Sequence, residues 1–208
     1  MTPFVVLEGR AAALMLPNID TDIIIRIERL TGVSHANLGE FAFESFRYRE
    51  DGSADPDFFL NKPAFQNTRI LVAGRNFACG SSREGAVWSL MQAGIRCVIA
   101  ESFGDIFYNN CFMNGLLPVV LSRADVEALA GELTGGADMA VDLRQRCVIT
   151  PSGRVVPFEI DPLRREAMLE GLDAISSTMR HAGAIKSWQA RDRQERPWVW
   201  DTGRSLEG

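Results

Sequence analysis

Between residues 69 and 133 the chain alternates short apolar runs with longer stretches of helical period. The runs at 69–73, 96–100 and 117–121 read as strands, and 82–93, 103–111 and 123–133 as helices. Strand, helix and strand in that order require crossover connections, and crossovers impose parallel pairing. The chain is therefore expected to fold as α/β with a parallel βαβ core. Beyond it, 141–160 reads as two or three strands around the turn Thr150-Pro151-Ser152-Gly153, and 162–179 and 182–193 as two or three C-terminal helices. Ahead of the core, apolar runs at 4–7 and 11–16 flank Glu8-Gly9-Arg10 and read as a hairpin. Residues 35–67 are rich in aromatics but broken by Gly39, Gly52, Pro56 and Pro63, which predicts a long, ordered, functional loop.

A chain of 208 residues with 46% apolar side chains can bury one sizeable core. A single domain over 1–190 is expected, followed by a tail over 191–208 that either frays or docks Trp198 and Trp200 on a partner. A net charge of -5 excludes the clustered basic surface that nucleic-acid binding needs. The first sixteen residues lack the basic start of a signal peptide, and no apolar run approaches the roughly 20 residues of a membrane span. A cytoplasmic protein with neither nucleic acid nor membrane as partner is expected. Cys79, Cys97, Cys111 and Cys147 are widely spaced, and only His35 and His181 could complement them. That pattern predicts reduced thiols, with Cys97 and Cys147 in the core, and no metal site within this chain.

The chemistry concentrates in residues 74–84, which join a parallel strand to the helix that follows. Ligands bind at that end of such strands. Gly80 lets a ligand approach the backbone, helix N–H groups favour an anion, and Arg83 can grip a carboxylate with two parallel bonds. The same residues admit a plainer reading, because Ser81 and Glu84 have the spacing of a capping box. The loop Asn18-Ile19-Asp20-Thr21-Asp22 is a second candidate. Its short polar side chains suit an Asx turn, while its two carboxylates call for a cationic neighbour.

Four long motifs carry a resemblance: NIDTDIII at 18–25, NFACGSSREG at 76–85, ESFGDIFYNNCFMNGLLPV at 101–119 and GLD at 171–173. Together they closely resemble the small-subunit family of 3-isopropylmalate dehydratases in the aconitase superfamily. The resemblance implies a swivelling β/β/α domain and a large-subunit partner carrying a [4Fe–4S] cluster. It also implies that Ser81 takes a proton from the carbon beside a substrate carboxylate, with Asp22 as the matching active-site aspartate. Ser82, Arg83, Thr21 and Arg47 are the implied substrate-binding residues, and the aromatic loop around Phe41, Phe43, Phe46 and Tyr48 is where the family places selectivity. The reaction implied is loss of water from 2-isopropylmalate and its re-addition to give 3-isopropylmalate, a step of leucine biosynthesis.

Two positions depart from the pattern. Gly85 stands where the family usually has histidine, and Arg26, where it usually has proline, adds a cation near Asp20 and Asp22. They leave open a related dehydratase acting on citramalate or a dimethylmalate, and beyond that a non-catalytic carboxylate-binding module.

Overall fold

The computed structural model describes residues 1–31, 35–80 and 83–201, with the side chains of His35 and Ala36 excepted. In chain order the elements of its first part are β1 (Val6–Leu14), α1 (Thr21–Ile24), α2 (Ile27–Thr31), α3 (Glu44–Arg47), β2 (Ile70–Ala73), α4 (Glu84–Gln92), β3 (Cys97–Ala100), α5 (Asp105–Asn114), β4 (Leu117–Val120), α6 (Arg123–Glu132), β5 (Ala137–Asp142), β6 (Cys147–Ile149), β7 (Val155–Pro157) and α7 (Pro162–Glu170). The seven strands form one sheet in the order β4-β3-β2-β1-β5-β6-β7. The pairs from β4 to β1 are parallel, and β5, β6 and β7 complete the sheet antiparallel.

The expected βαβ core is thus present, and its strands are apolar throughout because both faces are covered. Ala12, Leu71, Val98 and Ala100 face one apolar cluster, built with Ala86, Val87 and Leu90 of α4 and Phe107 and Cys111 of α5. Their alternates Ala11, Ile70, Cys97 and Ile99 face the other, with Val126 and Leu129 of α6 and Met168 of α7. Cys97 and Cys147 are buried, as expected.

The hairpin does not form. β1 runs unbroken through Glu8-Gly9-Arg10, with Gly9 opposite Met139 and Arg10 opposite Asp138 on β5. Its polar residues are answered from afar: Arg10 pairs with Asp138 at 2.9 Å and donates to the carbonyls of Ala64 and Gly136. Gly9 has a φ of +151°, which L side chains rarely adopt, and the Arg69 side chain lies across it, 2.8 Å from where a Cβ would stand.

Residues 35–67 are ordered into short helical turns whose phenylalanines pack in tilted and edge-to-face pairs. Phe43 lies 6.0 Å from Phe58 and 6.2 Å from Phe59, and Phe59 lies 6.4 Å from Phe65. Arg29 of α2 joins this layer, stacking over Phe41 and donating to both carboxylate oxygens of Glu44 at 3.1 and 2.5 Å. The hydrogen bond from Arg29 holds the Glu44 carboxyl below its usual range, against the opposing effect of burial, and Arg26 adds its charge to the same carboxylate. A carboxyl depressed in the folded state stabilises above its unfolded pKa of about 4.3 and loses that contribution as pH falls through the folded value. Glu44→Gln is therefore expected to lower stability by roughly 0.5–1 kcal/mol at neutral pH and by progressively less in acid. Thermal melts of both proteins from pH 3 to 7 check this; a pH-independent gap between them would contradict it.

The chain forms two compact units, Met1–Gly171 and Leu172–Gly208. The second unit holds α8 (Ala174–Met179), α9 (Ala182–Glu195) and α10 (Pro197–Trp200). Of the tail, the described residues 191–201 are held together by side-chain bonds. The buried Asp192 accepts from Arg196 at 2.7 and 2.5 Å and from the Trp200 indole at 2.9 Å, which ties α10 back onto α9. Among the described residues no helix is long and apolar enough to cross a membrane.

Candidate active site

The loops that leave β1, β2 and β3 at their carboxyl ends are stitched into a small continuation of the sheet. Asp20 bridges Cys79 and Phe77 bridges Phe103, both in parallel sense. The stitches are backbone bonds: Cys79 N–H to Ile19 at 3.1 Å, Thr21 N–H to Cys79 at 3.1 Å, Phe77 N–H to Ser102 at 3.0 Å and Gly104 N–H to Phe77 at 2.9 Å. Side chains add to them, with the Asn76 amide donating to Asn18 Oδ1 and its backbone N–H to the Ser102 hydroxyl, both at 2.9 Å.

Two glycines permit this closeness. A Cβ on Gly74 would stand 2.4 Å from the Leu16 carbonyl oxygen, and one on Gly104 would stand 2.4 Å from that of Ala78. The middle loop carries left-handed backbone at Asn76, Ala78 and Gly80. For Ala78 that conformation costs roughly 1–2 kcal/mol, sustained by the surrounding stitches. Strain of this kind collects where a backbone must hold one shape for a ligand. A cleft of about 340 Å³ opens beside it, lined by Asn76, Cys79, Gly80, Phe103 and Asp105.

Asp20 caps α1, its carboxylate accepting the Ile23 N–H at 2.8 Å. The bond is a helix N-cap three residues on rather than the Asx turn expected of that loop. Asp22 does something else: its half-exposed carboxylate forms an ion pair with Arg83, whose guanidinium is mostly covered. The cation called for by the paired carboxylates is Arg83, supplied from 61 residues away. Arg26 instead acts on Glu44.

Ser81 and Ser82 lie outside the described residues. The capping box expected for Ser81 and Glu84 fails on the part that is described. Arg83 is the N-cap residue of α4, so Glu84 occupies its first position rather than its third. The Glu84 carboxylate accepts from the Asn114 amide at 2.8 Å.

Thr21 is 1% exposed and does not reach the open face beside Asp22. Arg47 is engaged within the aromatic loop, bonding Asn61 Oδ1 at 3.1 Å and the carbonyls of Gly39 and Glu40 at 3.3 and 3.2 Å. Of the six expected site residues, the described structure brings Asp22 and Arg83 together, buries Thr21 and engages Arg47 within the aromatic loop.

Gly85 has a local explanation. A Cβ there would meet the Leu30 methyls at 2.5 and 2.7 Å, so α2 packs flush on the first turn of α4. Asn114 and Gly104 do not stand out in the sequence. The repeated order of strand, glycine and helix at 73–84 and 100–105 is the signal that points to Gly104, whereas Asn114 reads as an ordinary helix-end residue.

The α/β domain carries an arginine paired with an aspartate on its strand-end loops, and the family described as the aconitase C-terminal domain matches residues 1–124, which makes this a domain of that type. Downstream, the family LeuD_N matches 127–162, and the family of C-terminal domains from the small subunit of 3-isopropylmalate dehydratase matches 175–199. Proteins called 3-isopropylmalate dehydratase small subunit from Paracoccus denitrificans and Agrobacterium fabrum are each 50% identical over 96% of this chain and 100% of their own length. A solved structure of 3-isopropylmalate dehydratase from Methanocaldococcus jannaschii superposes with a TM-score of 0.66 at 27% identity, covering 88% of this chain and 99% of that one. The chain belongs to the 3-isopropylmalate dehydratase small subunit family.

Proposed function

We propose that this chain is the small subunit of a hydro-lyase that interconverts 2-isopropylmalate and 3-isopropylmalate through isopropylmaleate in leucine biosynthesis, active only with its large subunit. The observation that carries the proposal is the Asp22–Arg83 pair, assembled at the carboxyl ends of the parallel strands from two distant loops. Arg83 is already committed to one carboxylate oxygen and has further donors in its fork for a substrate carboxylate.

In this reading Ser81 removes the proton from the carbon beside a carboxylate. The electrons of the C–H bond become the double bond as the carbon–oxygen bond breaks, and the proton held on Ser81 together with the departing hydroxide makes up the water lost. A serine acts as a base only as its alkoxide, whose charge has to be stabilised beforehand, a role assigned to helix N–H groups and Arg83 in a site closed by the partner. Ser82 and Arg83 hold the carboxylate. Thr21 and Arg47 contribute from behind, Thr21 by anchoring the Asp22 loop and Arg47 by shaping the aromatic wall that faces an apolar branch.

Among the described residues no group of three or more His, Cys, Asp or Glu side chains comes together that could hold a metal ion. Burial raises the Cys97 and Cys111 thiols, away from the thiolate that iron requires. These residues do not fit a cluster. In the proposal the [4Fe–4S] cluster belongs to the large subunit, where it supplies a Lewis acid for the substrate hydroxyl.

The test is an anaerobic assay that follows loss of isopropylmaleate absorbance with each subunit alone, with both, and with Ser81→Ala. Activity in the mixture only, abolished by Ser81→Ala, is the expected result. A reconstituted pair that ignores isopropylmaleate but hydrates citraconate or dimethylmaleate would overturn the substrate assignment. An inactive pair with an intact cluster would overturn the catalytic one.

A further inference from the structure

Three consecutive residues at the start of α4 are each held by a different element. Arg83 is held by Asp22 of α1, Gly85 by Leu30 of α2, and Glu84 by Asn114 at the end of α5. The third hold is the most specific. The Asn114 amide nitrogen donates to Glu84 Oε1 at 2.8 Å and to the Asn110 carbonyl at 2.9 Å, while its Oδ1 accepts from the Trp88 indole N–H at 3.0 Å. Both of its N–H donors are thereby used, so the amide has one orientation. Glu84 and Trp88 lie one turn apart on α4, and Asn114 clasps that turn from outside.

The N-cap of α4 has no side-chain hydrogen bond, so the clasp takes over the task of fixing where the helix begins. Where it begins sets the position of Arg83, because Glu84 follows it directly in the chain. The Arg83–Asp22 pair is by contrast open to solvent on the Asp22 side and is the weaker restraint.

We propose that Asn114 is a positioning residue for the carboxylate grip: through Glu84 and Trp88 it fixes the first turn of α4 and hence the place of Arg83. The inference rests on the reading of Arg83 as that grip. Asn114 touches no reacting atom in this scheme, and its effect on the reaction passes entirely through α4.

Asn114→Asp is the discriminating change, since it keeps the shape and the acceptor for Trp88 but sets a carboxylate against Glu84. In the reconstituted enzyme it is expected to raise KM for isopropylmalate on the order of tenfold. Combining it with Glu84→Gln returns a donor–acceptor pair with the roles exchanged, and KM is expected to return to within about threefold of the unaltered enzyme. The isolated, isotope-labelled chain supplies a readout independent of turnover. The Arg83 Nε–H resonance is expected to shift in the single variant and to return in the double one. A Trp88 indole shift with no Arg83 shift would overturn the inference whether or not the reconstituted enzyme is active. So would a double variant that regains its melting temperature without regaining KM. If the unaltered pair fails to turn over isopropylmaleate, the assigned reaction falls, and the Arg83 resonance still decides the role of Asn114.

Discussion

Arg83→Met is expected to lower kcat/KM of the reconstituted enzyme by roughly 10²–10³-fold while leaving the thermal stability of the chain nearly unchanged. The two halves of that expectation have different origins. The fork of Arg83 is a cation at the mouth of the stitched loops, paired with Asp22, and its side chain is mostly covered. Removing a preorganised donor to a charge that develops during reaction costs about 10²–10³ in rate. The stability contribution is small because Asp22 is half exposed, and an ion pair open to water on one side is worth at most about 1 kcal/mol. Arg83→Lys separates charge from geometry, since an ammonium keeps the charge but loses the bidentate fork. It is expected to recover part of the KM defect and little else. The measurement is steady-state kinetics beside a melt and a subunit-binding titration for each variant. Native kcat/KM in Arg83→Met would remove Arg83 from the site, and a loss of activity that only tracks a loss of large-subunit binding would make it an interface residue.

Sequence periodicity locates β2, β3 and β4 and the helices between them to within a few residues, because a buried parallel strand is a continuous apolar run and the helices between repeat at their own period. β1 escapes it for a reason equally local. Glu8-Gly9-Arg10 has the composition of a turn, and what keeps it extended is Asp138 across the sheet, the carbonyls of Ala64 and Gly136, and Arg69 lying over Gly9. None of these is near in the chain. Glu84 is likewise engaged from afar, by Asn114, thirty residues on.

The candidate site is legible through family motifs rather than spacing. Nothing in 18–25 or in 76–85 alone says that Asp22 meets Arg83, because their loops are brought together by the pairing of β1 with β2. Gly85 shows the converse: as a departure from the family pattern it suggests a changed chemistry, and in the fold it is the seat of Leu30.

The glycines that hold the strand-end loops together give the second large effect. Gly104→Ala is expected to lower kcat/KM about a hundredfold and stability by about 1–3 kcal/mol together. Gly104 has ordinary backbone angles, so its need is steric alone. A Cβ there would stand 2.4 Å from the Ala78 carbonyl oxygen and 3.1 Å from Cys79 Cα. Both obstacles are backbone, and neither can rotate aside. The loop 77–80 has to retreat, breaking the bond from Gly104 N–H to the Phe77 carbonyl and relaxing the strained Ala78 that leads toward Ser81. A displacement of about 1 Å at a reacting group is enough for a hundredfold loss, and overpacking accounts for the loss of stability. Gly85→Ala is the internal control, because its obstacle is the tip of Leu30. Leu30→Ala opens that space and is expected to restore Gly85→Ala in part, whereas no side-chain truncation at 78 or 79 removes the obstacle facing Gly104→Ala. Melts and kinetics of Gly104→Ala, Gly85→Ala and Gly85→Ala with Leu30→Ala test the distinction. If Gly104→Ala keeps its activity, the stitched loops tolerate displacement, and the geometry of the site must be set by α4 and its clasp alone.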